Sequence, residues 1–187
     1  FGIVLSFLLL GQLGFVLFNQ IFETIFNLFG FTMLKAVESA SVGSDSVSMF
    51  LYASFFGPVS EELIFRGAGL RTFEKYGKIF AILMSSLLFG LFHGNFPQFF
   101  FATFVGIIFS YVTLEYSILW AMAFHIFNNL VIGDGLTYVY SFLPDSAASL
   151  LHLIILLIGA SIAAIFLFKN KTDIKRYVQE NYAYPGT

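Results

Sequence analysis

Ser60-Glu61-Glu62-Leu63-Ile64-Phe65-Arg66-Gly67 sets two carboxylates and a guanidinium inside an apolar stretch that runs from Val47 to Leu70. A charge near a bilayer centre costs about 2.5–3.5 kcal/mol on insertion scales, so ionisable residues there point to function before packing. The rest of the chain decides which solvent this stretch meets. Of 187 residues, 58% are hydrophobic and 11% charged, and mean hydropathy is +0.87; soluble domains average about 25% charged residues. The chain therefore reads as an all-α, polytopic transmembrane helical bundle of about six to seven membrane helices. Its 27 Phe suit lipid-facing and helix-packing surfaces better than a water-soluble core. With no Cys there is no disulfide framework, thiol nucleophile or Cys-based metal site. The chain opens on Phe1 rather than Met, so a missing start is expected, which leaves room for a signal peptide or further spans that the sequence does not show.

Outward from Ser60, the chain divides by apolar runs. Phe1 to Leu34 would reach roughly 50 Å as one helix, against a hydrocarbon core of about 30 Å. Asn19, Gln20 and Glu23 suggest a first span to about residue 20, then an interfacial or partly re-entrant segment. Lys35 to Ser48 reads as a water-exposed loop. Residues 47–70 form the second span, in which Gly57-Pro58 is expected to kink the helix and free a carbonyl toward a cavity. An ordinary transmembrane proline is the plainer alternative. Arg71 to Lys78 reads as a short basic loop. Ile79 to His93 makes the third span, stopped by His93-Gly94-Asn95-Phe96-Pro97, and Gln98 to Thr113 the fourth. A turn at Glu115 to Ser117 leads to the fifth, Ile118 to Ile132. Gly133 to Ser149 is expected as a loop, Leu150 to Phe168 as the sixth span, and the remainder as a polar tail. The Gly90 to Gly94 spacing matches a weak helix-packing motif.

Arg71, Lys75, Lys78, Lys169, Lys171, Lys175 and Arg176 fall on one side and Lys35 on the other, seven basic residues against one. The positive-inside rule then places the C-terminus in the cytoplasm. No repeat or linker divides the chain. It is expected as a single integral membrane domain, with a catalytic core at about 47–135 and a cytoplasmic tail at 169–187. Composition favours, weakly, a bacterial plasma membrane.

Helical spacing separates roles within the charged stretch. Glu62 and Arg66 are four apart and share a face, able to neutralise each other, while Glu61 is turned about 100° away and free to face a cavity. The plainer alternative is one charge network that holds helices together. His93 follows Phe89 by four and shares its face. His125 and Asn129, again four apart, present an imidazole and an amide side by side, suited to hold an oxyanion or to bond between helices. Counted from the cytoplasmic helix ends, Glu61, His93 and His125 lie about 15, 22 and 12 Å deep. All three can reach the midplane, His93 least readily. Together these are the parts of a peptide-hydrolysing site.

The spacings E-E-x-x-x-R at Glu61 to Arg66, F-x-x-x-H at Phe89 to His93 and H-x-x-x-N at His125 to Asn129 resemble the CPBP family. These are the type II CAAX prenyl endopeptidases and their bacterial relatives, also called Abi proteins. The resemblance covers about residues 50–135, with all three motifs in the family's order. It implies an intramembrane endopeptidase in which Glu61 and His93 activate a water, His125 and Asn129 stabilise the oxyanion, and Glu62, Arg66 and Phe89 support them. Family members have been described both as metalloproteases and as metal-free glutamate proteases. No cofactor is firmly implied; a zinc ion would take Glu61, His93 and His125 as ligands. Asn129 beside His125 suits a donor pair better than a metal shell, and a glutamate-based reaction is expected. The partners implied are the bilayer and a membrane-associated peptide or protein substrate, with no nucleic acid and no fixed oligomeric state.

Two readings of other classes compete. A non-enzymatic membrane scaffold or bacteriocin-immunity protein would be expected to lack a catalytic position, and none is missing. A small transporter using Glu61, Arg66 and His93 as a path would be expected to show internal repeats or paired broken helices. His152, without a partner motif, reads as interfacial.

Overall fold

The structure, a computed structural model, describes residues 1–33 and 46–182, and among them every regular element is a helix. We number seven: α1 (Gly2–Leu28), α2 (residues 47–74), α3 (Lys78–Phe92), α4 (Phe96–Glu115), α5 (residues 118–140), α6 (Asp145–Lys169) and α7 (Lys171–Asn181). The all-α bundle expected from composition is what the chain forms. Helices α1, α4 and α6 are long and apolar enough to cross a membrane, and α3 is apolar but shorter, at 15 residues. This is a membrane protein. The polar α7 accounts for the difference between six apolar helices and seven helices in all.

Several boundaries differ from the sequence reading. The helix does not end near residue 20: α1 continues unbroken for 27 residues, through Asn19, Gln20 and Glu23. Glu23 accepts from Thr32 Oγ1 and Met33 N, both at 2.7 Å, tying down the chain that leaves the helix. Most of the expected loop at Lys35 to Ser48 lies outside the described residues. Arg71 to Glu74 are helical, so the basic connection shrinks to the turn before Lys78. Helix α5 runs on through Gly133-Asp134-Gly135 to Tyr140 where a loop was expected, and α6 begins at Asp145. The tail is helical as α7.

Aromatic and glycine positions explain how the bundle closes. Helix α1 packs on α4 through Phe15 against Phe101 and Phe18 against Phe100, with ring centroids 5.6 and 4.6 Å apart. The core between α1, α4 and α5 is built on Leu8, Val105, Phe109, Val112, Ala121 and Phe124. Helices α3 and α4 form a tight antiparallel pair. Gly94 makes the turn with φ +60°, and Asn95 caps α4 by accepting from Gln98 N at 3.3 Å. Gly90 faces Thr103 and the Phe99 carbonyl, where an added Cβ would stand 2.7 Å from that backbone oxygen. The two glycines of the packing motif thus do different work, one in the interface and one in the turn. Gly90→Ala should destabilise the protein by about 1–3 kcal/mol or more, since backbone must shift to admit the methyl. Thermal unfolding in detergent checks this; an unchanged midpoint would mean the α3–α4 pair is looser than described.

Helices α2 and α5 are not uniform. Wide π-type turns occupy Tyr52–Phe56 and Leu63–Leu70 in α2, and Asn128–Gly135 in α5. Such turns occur mostly as local insertions near functional sites. Here the first two flank Glu61 and Glu62, the second of them holds Arg66, and the third holds Asn129.

Candidate active site

The first wide turn has a definite cause. Gly57 N–H reaches back five residues to Tyr52 O, and Pro58 has no N–H to offer Ala53 O. That carbonyl is taken instead by Asn129 Nδ2 of α5, at 3.0 Å. One residue on, Ser54 Oγ donates to Asp134 at 2.7 Å. Two segments that depart from α-helical register are thus laced to each other. Asp134, read from sequence as a loop acid, lies within α5 with Ser54 as its donor.

Below this lacing lies the charge cluster. Glu62 and Arg66 are completely buried and paired, Arg66 Nη1 donating to Glu62 Oε1 at 3.1 Å. The same oxygen lies 2.9 Å from His125 Nδ1. A carboxylate can only accept, so Nδ1 carries the proton of this bond. His125 Nε2 faces Glu61 Oε2 at 3.7 Å, and the Glu61 side chain keeps 22% of its surface exposed. One imidazole therefore stands between a sealed carboxylate and an accessible one.

Phe89 is the centre around which the other groups gather. The Arg66 guanidinium carbon lies 4.2 Å from its ring centroid; the His93 and His125 rings meet it edge-on at 4.9 and 5.7 Å. Phe109 closes the far side of His125 at 5.0 Å. The aromatic face supplies part of what the guanidinium lacks, because Arg66 Nε and Nη2 have no hydrogen-bond partner among the described residues. His93 Nδ1 lies 2.8 Å from Phe89 O, a carbonyl acceptor four residues back, so Nδ1 carries the proton and Nε2 is left with its lone pair.

The structure therefore brings Glu61, Glu62, Arg66 and His125 into direct contact, with Phe89 and His93 packed alongside. Asn129 is not hydrogen-bonded to His125. Its Oδ1 accepts from Asn128 Nδ2 at 3.1 Å and one amide N–H goes to Ala53 O, which leaves one N–H. Sequence reading missed Ser54, Asn128, Phe109 and the buried Ser85, Ser86 and Ser110, which line the same helices. Small hydroxyls recurring in otherwise apolar helices were the available signal.

A zinc ion held by Glu61, His93 and His125 would require three donors gathered at one point. Among the described residues no three His, Asp or Glu side chains are so placed. The bonds of His125 Nδ1 to Glu62 and of His93 Nδ1 to a carbonyl leave both Nε2 atoms available, as zinc ligation would require, so the spacing of the donors alone fails the ion. The donor chemistry suits the ion and the placement does not.

Fold and cluster define a helical membrane protein with a buried ionisable centre. Residues 43–131 match the Rce1-like family, described as type II CAAX prenyl endopeptidase Rce1-like, which bears out the CAAX-protease resemblance over that segment. All seven residues singled out from the three motifs lie inside it. No curated protein and no solved structure matches the chain.

Proposed function

We propose that the protein is an intramembrane endopeptidase that hydrolyses peptide bonds of membrane-associated peptides or protein C-termini. The observation that carries this is the pairing of an accessible carboxylate, Glu61, with an imidazole whose other nitrogen is fixed on a sealed, counter-charged carboxylate. Sealed groups cannot touch a substrate; Glu61 can. In this reading Glu61 takes a proton from a water oriented by the free Nε2 of His93. The hydroxide oxygen bonds to the scissile carbonyl carbon, whose oxygen becomes an oxyanion. His125 Nε2, carrying a proton in this role, and the remaining Asn129 N–H donate to it. Collapse breaks the C–N bond, and Glu61 returns its proton to the leaving amine.

Glu62 and Arg66 serve this chemistry by position. Glu62 fixes the His125 ring, and Arg66 makes a buried Glu62 tolerable. The substrate is an apolar chain reaching the site within a multi-pass bundle whose C-terminus faces the cytoplasm, in a bacterial plasma membrane.

The test is incubation of detergent-purified protein with a membrane-peptide library, followed by product masses. Reproducible cut sites support the reading. Intact library with folded protein would favour the scaffold or immunity role instead. Chelator treatment is expected to leave cleavage unchanged, to within about twofold of the untreated rate, well short of the 10²–10⁴-fold that a lost acid–base catalyst costs. Stoichiometric zinc that departs together with activity would overturn the glutamate-based mechanism.

A further inference from the structure

We propose that α7 is a binding surface for anionic phospholipid, lying along the membrane face with one edge on the protein and the other on lipid headgroups. Helix α7 starts at Lys171, and Asn170 closes the last turn of α6 by donating Nδ2 to Phe166 O at 2.8 Å. It therefore leaves the bundle at the level where the apolar run of α6 ends. Its inner edge is fixed by Tyr177, whose hydroxyl donates to Glu115 at 2.6 Å and whose ring meets Tyr111 edge-on at 5.5 Å. Burial, and then the Glu115 carboxylate, push the Tyr177 hydroxyl up from its ordinary range, so it stays a neutral donor. Lys78 also donates to Glu115, at 2.8 Å, which joins α3, α4 and α7 at one point.

The other faces follow from about 100° of turn per residue. Ile174 and Val178 come next round from Tyr177, 37% and 39% exposed, with no helix covering them fully. Beyond them stand Lys171 and Lys175. The Lys171 ammonium lies 5.1 Å over the ring of Phe168, itself 74% exposed at the end of α6. That contact sets the lysine edge on the outer, lipid-facing side of the bundle. Asp173, Arg176 and Glu180 occupy the remaining face, and Arg176 is already paired with Asp173 at 2.6 Å. The apolar strip thus has on its outer edge two lysines with no ion-pair partner among the described residues, and the acids lie away from that edge. This is the charge pattern of a helix seated at an anionic leaflet. A soluble partner would have no reason to meet an edge continuous with the lipid-facing side of α6.

The proposal rests on α6 being a membrane helix and is independent of the peptidase chemistry. It is tested with the full chain in nanodiscs of phosphatidylcholine alone and of phosphatidylcholine with phosphatidylglycerol, following amide exchange at residues 171–181. Exchange should be about thirtyfold slower in the anionic discs, what two lysines near such a surface confer at about 1 kcal/mol each, and the difference should shrink at high salt. Lys171→Gln with Lys175→Gln should remove it, whereas Arg176→Gln should keep it. Equal exchange of the wild type in the two lipids overturns the proposal whether or not a variant folds. So does equal loss in Arg176→Gln, since the effect would then be bulk charge rather than an oriented edge.

Discussion

Glu61→Gln is expected to lower peptide cleavage by about 10²–10⁴-fold, the contribution of a positioned general acid–base group, while leaving the fold intact. The substitution keeps shape and removes the proton acceptor. Glu61 is part-exposed and its contact with His125 is 3.7 Å, longer than a hydrogen bond, so the fold loses little with its charge. Glu62→Gln should behave differently. Glu62 is fully buried and bonded to both Arg66 and His125, so its neutralisation strands a guanidinium and leaves the imidazole on a neutral amide oxygen. Stability and cleavage should then fall together. The measurement is cleavage of the same peptides by both variants, each normalised to folded protein by its unfolding midpoint. Full activity in Glu61→Gln would move the base to another group and end the mechanism proposed for this site.

The contrast between neighbouring carboxylates shows what the sequence could carry. Their different faces followed from helical geometry, and Glu62–Arg66 pairing followed from a spacing of four. That His125 would bond Glu62 rather than stand beside Asn129 was not legible, because it depends on how α2 and α5 cross, 63 residues apart in sequence. The wide turns were also hidden. Gly57-Pro58 announced a kink, but the bond from Asn129 to Ala53 O that completes the first wide turn comes from another helix. Polar residues misled in both directions. Asn19, Gln20 and Glu23 suggested a break in α1, and Asp134 between glycines suggested a loop. Each charge instead found a donor, Thr32 and Met33 in one case and Ser54 in the other, and the helix continued. Helix ends made by backbone necessity, such as Gly94 before an Asn95 cap, were read to within two residues.

Arg66→Met should be the most destabilising single change in the molecule, at about 3–5 kcal/mol, the cost of leaving one member of a buried ion pair without its partner. Arg66 is fully buried, and its guanidinium is wedged between the Phe89 ring and Gly106, where a Cβ would come within 3.1 Å of Nη2. Glu62 is itself 0% exposed, so the stranded charge starts out of contact with solvent. Replacing both partners, Glu62→Gln with Arg66→Met, removes both charges at once, and such exchanges are often neutral in stability. The double variant should therefore recover most of the folded yield and unfolding midpoint lost by Arg66→Met. It should not recover cleavage, because His125 Nδ1 then bonds an amide instead of a carboxylate and its ring is no longer held by charge. Denaturant titration in detergent, with cleavage measured on the surviving folded fraction, separates the two quantities. A stable and active double variant would show that the pair only holds helices together, and a double variant no better than Arg66→Met would place the cost in packing against Phe89 instead of in the stranded charge.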